Sequence, residues 1–145
     1  MWNNIDNEQD LAAFMEKVFD FHDSCIKELK YVSGAYVDNN LSMYPINNLR
    51  LLKMIVQRQY DDPAAVELEF SKLKYLKLYP CDEEHTCELL DVTMLLDNGH
   101  VYWCDCGGLT VTEIEHYSGT VICAARVRWR EVNGYIGSQE VYQSP

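Results

Sequence analysis

The sequence predicts an α+β domain: one curved antiparallel sheet of about six to eight strands with an N-terminal helix packed on one side. Three observations carry that expectation. Apolar residues keep a helical spacing mainly near the N-terminus, whereas period-two alternation runs through most of the remaining chain. An Asn-Gly pair, Asn98-Gly99, sits between two apolar runs, where it supplies the positive φ angles of a tight hairpin. No repeat, low-complexity tract or linker interrupts the chain, so residues 1–145 read as a single domain. With 145 residues, 48% of them apolar, folding removes about 70% of the unfolded chain's surface from water, so no metal, cofactor or disulfide is needed to hold the fold.

Leu11, Phe14, Met15, Val18 and Phe19 fall at i, i+3, i+4, i+7 and i+8, which predicts a helix over residues 8–19 with one apolar stripe. Asp6 is placed to cap it, Gln9 stands at the capping-box distance, and Glu8 and Asp10 suit the positive helix terminus. From Cys25 the period changes to two. Leu29, Tyr31, Ala35 and Val37 share one parity and Ile26 the other, so the first strand runs on to Val37 with a bulge near Lys27 and Glu28. Residues 38–45 form a long connection. Leu49 to Tyr60 is apolar on both parities, as expected of a central strand, and Asp61-Asp62-Pro63 turns the chain. Val66, Leu68 and Phe70 alternate with Glu67 and Glu69, the pattern of a strand with one wet face, and residues 73–79 make a further strand ending at Pro80.

Cys87 to Leu96 and His100 to Cys106 flank the Asp97-Asn98-Gly99 turn, the strongest local signal in the chain. Gly107-Gly108 opens a loop, and Thr112 to Tyr117 is a brief helical turn with Thr112 and Glu115 at capping-box spacing. The last clear strand is Thr120 to Val132. After Asn133-Gly134, Tyr135-Ile136 folds back as a short edge strand.

Twelve basic and 23 acidic residues leave a formal net charge of −11. That field repels nucleic-acid phosphates and anionic lipid surfaces, and it favours a basic protein as partner. No apolar run is long enough to span a bilayer, and the opening Met1-Trp2-Asn3-Asn4 has no export signal, so a cytoplasmic protein free of membrane and nucleic acid is expected. Cys25, Cys81, Cys87, Cys104, Cys106 and Cys123 are then read as free thiols.

His22-Asp23-Ser24 contains the side-chain types of a hydrolase triad, but neighbouring side chains on an extended chain point apart. These residues are expected instead to settle the hand-over from helix to strand, with Asp23 and Ser24 bonding backbone groups while His22 packs there. No catalytic residue is assigned. His100, Cys104 and Cys106 share a strand face and Cys81 and Cys87 flank His85, yet neither spacing is that of a familiar zinc site, so no metal is assigned.

Arg126, Arg128 and Arg130 alternate with Ala125, Val127 and Trp129, which sets three guanidinium groups along one strand face. They are the candidate ligand-binding residues, because each offers a rigid fork of donors to a carboxylate or phosphate. The alternative is that they meet acidic cross-strand neighbours such as Glu67, Glu69, Glu88 or Asp91, in exposed pairs of little energetic weight. Tyr36, Tyr44, Tyr60, Tyr102, Tyr117 and Tyr142 suit either a sheet core or an interface, and several of them around one patch would mark a protein-binding site.

The segment Phe21-His22-Asp23-Ser24-Cys25-Ile26, between the short helix and the strand from Leu29 to Val37, resembles the opening of a group of small bacterial cytoplasmic proteins with no established activity. The similarity extends along most of the chain, including Tyr44-Pro45-Ile46-Asn47 and Arg128-Trp129-Arg130. Some proteins with a similar Phe-His-Asp-Ser opening are grouped with immunity proteins, which neutralise toxins delivered between competing bacteria. The function expected is therefore a non-enzymatic protein-binding module, in immunity-protein form one whose acidic surface meets a basic toxin. The competing expectation is a domain for a small anionic ligand or an enzyme, with the concave face of the sheet as pocket and the arginine row as clamp.

Overall fold

Residues 1–46 and 48–142 are described by a computed structural model; Asn47, from the Tyr44-Pro45-Ile46-Asn47 segment, lies outside them. A two-residue strand, β1 (Asn3–Asn4), leads into α1 (Glu8–Lys17). The helix is shorter than residues 8–19, and its cap is Asn7 rather than Asp6. Asn7 is extended, and its Oδ1 accepts from the Gln9 and Asp10 amides at 2.9 Å each. Asp10 reaches back to accept from the Asp6 amide at 3.0 Å, one residue before the cap, so the side chains of Asn7 and Asp10 both tie down the helix start without closing the reciprocal box. Beyond Lys17 the helical path breaks, because Phe19, Asp20, Phe21 and Asp23 all take positive φ. This tight reversal drives Phe21 into the core, edge-on to Phe14 and Trp103.

The strands follow in order: β2 (Ser24–Val32), β3 (Tyr36–Val37), β4 (Met43–Tyr44), β5 (Leu51–Arg58), β6 (Ala65–Lys77), β7 (Glu88–Leu89), β8 (Thr93–Asp97), β9 (His100–Cys104) and, after α2 (Val111–His116), β10 (Val121–Glu131). Eight of them form one antiparallel sheet in the order β7-β2-β5-β6-β10-β9-β8, with β1 beside the second half of β10. The predicted bulge in β2 is present, between Ile26 and Glu28. Its predicted extension to Val37 is not: β2 stops at Val32, and β3 pairs only with β4 as a separate ribbon. The two strands expected at 66–70 and 73–79 are one, β6, which keeps pairing with β10 although core-facing parity shifts between Phe70 and Leu73, where Lys72 has φ 51°. At the second helix, Thr110 and Glu113 make the capping box instead of Thr112 and Glu115, a frame that turns Ile114 inward. Tyr135-Ile136 forms no strand.

The hairpin over Asn98-Gly99 is as expected, with φ of 48° and 74° at its two turn residues. Its first arm begins only at Thr93, because Glu88 and Leu89 pair with β2 at the opposite edge of the sheet. That detail dictates the shape. Seven strands laid flat would hold β7 and β8 roughly 29 Å apart at about 4.8 Å per strand. The four peptide units from Leu89 to Thr93 span at most about 14 Å. The sheet therefore curls into an antiparallel half-barrel whose edges approach each other across residues 90–92.

The core fills the concave side. Leu52, Met54, Val56, Val66, Leu68, Phe70, Val101, Trp103 and Val127 line it from the strands, and Leu11 and Phe14 of α1 close it. Phe14 packs against Trp129 at 4.8 Å between ring centroids. On the opposite face, α2 covers a smaller apolar cluster of Tyr102, Cys104, Ile114, Val121 and Cys123. The wet face expected beside Val66, Leu68 and Phe70 is not wet: Glu67 and Glu69 are only 2% and 8% exposed. Cross-strand basic partners bury them.

Candidate functional site

The register of β2, β5, β6 and β10 writes a charge pattern across the convex face. Glu28, Ile55, Glu67 and Arg130 form one cross-strand row, and Lys30, Lys53, Glu69 and Arg128 form the next. Val32 and Leu51 face each other beyond Lys30 and Lys53, as Ser71 and Arg126 do beyond Glu69 and Arg128. These rows gather five of the chain's twelve basic residues against three acidic ones. In a chain of net charge −11 they make a positive island.

Arg130 holds Glu67 through two nitrogens, Nε and Nη2, both 2.6 Å from Oε2. Arg128 holds Glu69 in the same way at 2.9 and 2.7 Å, and Lys53 approaches the other oxygen of Glu69 at 3.7 Å. The Trp2 ring lies against both guanidinium groups, at 4.4 Å from Arg128 and 4.6 Å from Arg130. Of the four acidic partners considered for the row, Glu67 and Glu69 are the ones engaged. The Arg130–Glu67 pair is not the exposed one of little weight that alternation implied, since its side chains are 15% and 2% accessible, whereas Arg128 in the other pair is 43% exposed. Arg126 makes no ion pair among the described residues and lines a shallow pocket with Asp6, Glu69 and Arg128. The row and the concave pocket of the ligand expectation fall on opposite faces, because helix and core occupy the concave side.

A second feature of the convex face is a strap. Gln57 projects from β5 and its Nε2 donates to the Tyr135 and Gly137 carbonyls and the Tyr142 hydroxyl, at 3.1, 3.0 and 2.9 Å. Tyr142 stacks on Tyr135 at 4.6 Å, and its amide donates to Glu28. Nothing in the composition marked Trp2, Lys30, Lys53 or Gln57. Only strand register brings them into these roles.

His22, Asp23 and Ser24 do not assemble a nucleophile. The Ser24 hydroxyl donates to the carbonyl of His22 at 3.3 Å, as expected of a hand-over residue. Asp23 instead accepts from the Tyr60 hydroxyl at 3.3 Å and faces His22 Nε2 at 3.5 Å. The Leu90 carbonyl, 2.6 Å from Nδ1, and then Asp23 hold the His22 pKa above its usual value. Beside them the buried Arg58 donates to the Pro63 carbonyl at 2.6 Å and lies over the Tyr60 ring.

Cys104 and Cys123 are fully buried, and desolvation pushes the Cys104 thiol up to about 11. His100 turns its ring nitrogen to the Asn98 carbonyl. Among the described residues no three His, Cys, Asp or Glu side chains are grouped to hold a metal ion. No helix among them is long and apolar enough to cross a membrane.

The tyrosines divide. Tyr102 and Tyr142 are buried and Tyr60 and Tyr117 half-buried, whereas Tyr36 and Tyr44 are exposed and stack on each other at 4.8 Å across the β3–β4 ribbon. The turn of this arm is tied by Asp38, whose carboxylate accepts from the Asn40 and Ser42 amides at 2.9 and 3.0 Å. Leu41, at φ 63°, is presented at its tip and is 85% exposed. Of sixteen exposed large hydrophobic residues described, nine lie in the stretch 31–49, which carries one charged residue, Asp38. No protein-family model, no curated protein and no solved structure matches this chain, so the arm and the convex face stand as the two candidate surfaces on their geometry alone.

Proposed function

We propose that this chain is a non-enzymatic protein-binding module whose partner is a basic protein that closes over the arm at residues 31–49. The observation that carries the reading is the concentration of exposed Tyr, Leu, Met, Ile and Val on a stretch with one charge, in a chain of net charge −11. Interfaces combine an apolar, aromatic centre with a polar rim, and an isolated soluble domain gains nothing from exposing such a patch. The stacked Tyr36 and Tyr44 are rigid anchors of the kind that dominate binding energy. The chain's net charge of −11 favours positive charge on the partner and speeds its approach. In immunity-protein form, the reading that follows from the Phe-His-Asp-Ser resemblance, that partner is a toxin from a competing bacterium, and its neutralisation is the activity.

A photo-crosslinking residue in place of Met43, expressed in the source cell or exposed to a panel of secreted bacterial toxins, tests the reading. The expected product is a single basic protein. Its association with the purified chain should slow steeply as salt rises and fail in the Tyr36→Ser, Tyr44→Ser double variant. Crosslinks only to a second copy of the chain, or a partner that binds the double variant unchanged, would overturn it.

A further inference from the structure

On the convex face, Lys30 of β2 stands directly opposite Lys53 of β5. Residues in that relation have Cβ atoms about 5 Å apart, and two like charges there repel. The nearby acid gives little relief. Glu69 approaches Lys53 at 3.7 Å but is already held at shorter distance by Arg128, and Lys30 makes no ion pair among the described residues. The two carboxylates at the other end of the groove are also engaged, Glu28 by the Tyr142 amide and Glu67 by Arg130. Among the described residues of this groove Lys30 is thus unpaired and Lys53 has only a shared hold on Glu69.

They do not lie on flat surface. Lys30 and Lys53 line a groove of about 490 Å³, with Val32, Leu51 and Ile55 from the strands and Tyr135, Val141 and Tyr142 from the strap. That volume lies in the range of small-molecule sites, and the lining sets six apolar or aromatic residues against four charged ones. The strap is pinned in place by the Gln57 amide and the Tyr135–Tyr142 stack, so its aromatic wall is preorganised.

We propose that this groove binds a small organic carboxylate, its anionic head between the Lys30 and Lys53 ammonium groups and its apolar or aromatic body against Leu51, Val141 and the paired tyrosines of the strap. The head relieves the cross-strand repulsion and supplies both lysines with charge-assisted acceptors. The two glutamates at the far end exclude a polyanion. The site shares no residue with the arm except Val32, so it stands or falls independently of partner binding.

Amide and side-chain NMR titration with 2-naphthoate, against the neutral isostere 2-naphthamide, tests the proposal. Naphthoate should shift the Lys30, Lys53 and Tyr142 signals and naphthamide should not. Lys30→Met, at an exposed position, should fold normally and weaken naphthoate by roughly tenfold or more, the scale of one lost charge-assisted contact, and Lys30→Arg should restore binding. Arg126→Met should leave it unchanged. Equal binding of acid and amide, no binding of either at millimolar concentration, or loss with Arg126→Met but not with Lys30→Met would each overturn the proposal. A second readout needs no ligand: Lys30→Glu replaces a repulsive pair with an attractive one and should raise the melting temperature. An unchanged or lower value would remove the repulsion from which the proposal starts.

Discussion

β6 and the β3–β4 arm are both extended and rich in apolar and aromatic residues, yet they end in opposite environments. Leu68 and Phe70 of β6 are fully buried, whereas Met43 and Tyr44 of β4 are 69% and 47% exposed. The difference lies in neighbours. β6 is paired along both edges, by β5 and β10, and has the helix-closed core on one face. Among the described residues β3 and β4 pair only with each other, through two residue pairs, and a two-stranded ribbon has no second layer to cover it. Apolar extended chain thus does not by itself make core; the number of its neighbours decides whether it is core or contact surface.

The largest expected effect breaks this comparison most directly. Phe70→Ala should cost about 3–5 kcal/mol of stability, as deletion of a fully buried ring does. Met43→Ala on the arm should change stability by less than about 0.5 kcal/mol. Denaturant unfolding of both variants measures the contrast, and comparable losses would show that the arm is packed rather than displayed.

A second expectation sharpens the difference between the two faces of β6 itself. Glu67→Ala leaves the Arg130 guanidinium largely buried without its carboxylate, which should cost about 3 kcal/mol. Replacing Glu67 and Arg130 together by Leu and Met should recover most of that loss, because the pair's desolvation cost vanishes along with its attraction. A double-mutant cycle gives the coupling directly. A coupling below about 0.5 kcal/mol would return this pair to the exposed class.

The smallest effect concerns the hand-over segment. His22 has its pKa raised, chiefly by the Leu90 carbonyl and then by Asp23. A raised folded-state pKa contributes stability that is fully present below the unfolded value and is lost as pH rises through the folded one. Histidine NMR titration should therefore place His22 above its usual 6.5, with a slight loss of stability on going from acidic to neutral pH. An Asp23→Asn variant should lower that pKa. A titration unaffected by the variant would show that Asp23 does not act on the ring.

Much of the candidate surface was legible only in part. Arg126, Arg128 and Arg130 share a strand face as their spacing requires, and Glu67 and Glu69 were among the partners that charge alone proposed. Their burial was not legible, because a Glu alternating with apolar residues reads as solvated until its neighbours are known. Lys30 and Lys53 are 23 positions apart and carry no motif; only the bulge at Ile26–Glu28 sets the register that brings them opposite each other.

By itself the sequence determined the local events whose causes lie within a few residues: the apolar stripe of α1, the β2 bulge, the Asn98-Gly99 hairpin and the long run of β10. It left the frame of each cap open, because Asp6 and Asn7, or Thr110 and Thr112, meet the same local rules and only the packing of the following turn separates them. The strand order, the curl that joins its edges and the burial of the charged rows belong to tertiary structure alone. Period two sends side chains to alternate faces but does not say which face meets the core. That choice was made when β7 and β8, a few residues apart in the chain, had to reach opposite edges of one sheet and closed its concave side around Phe14, Phe21 and Trp103.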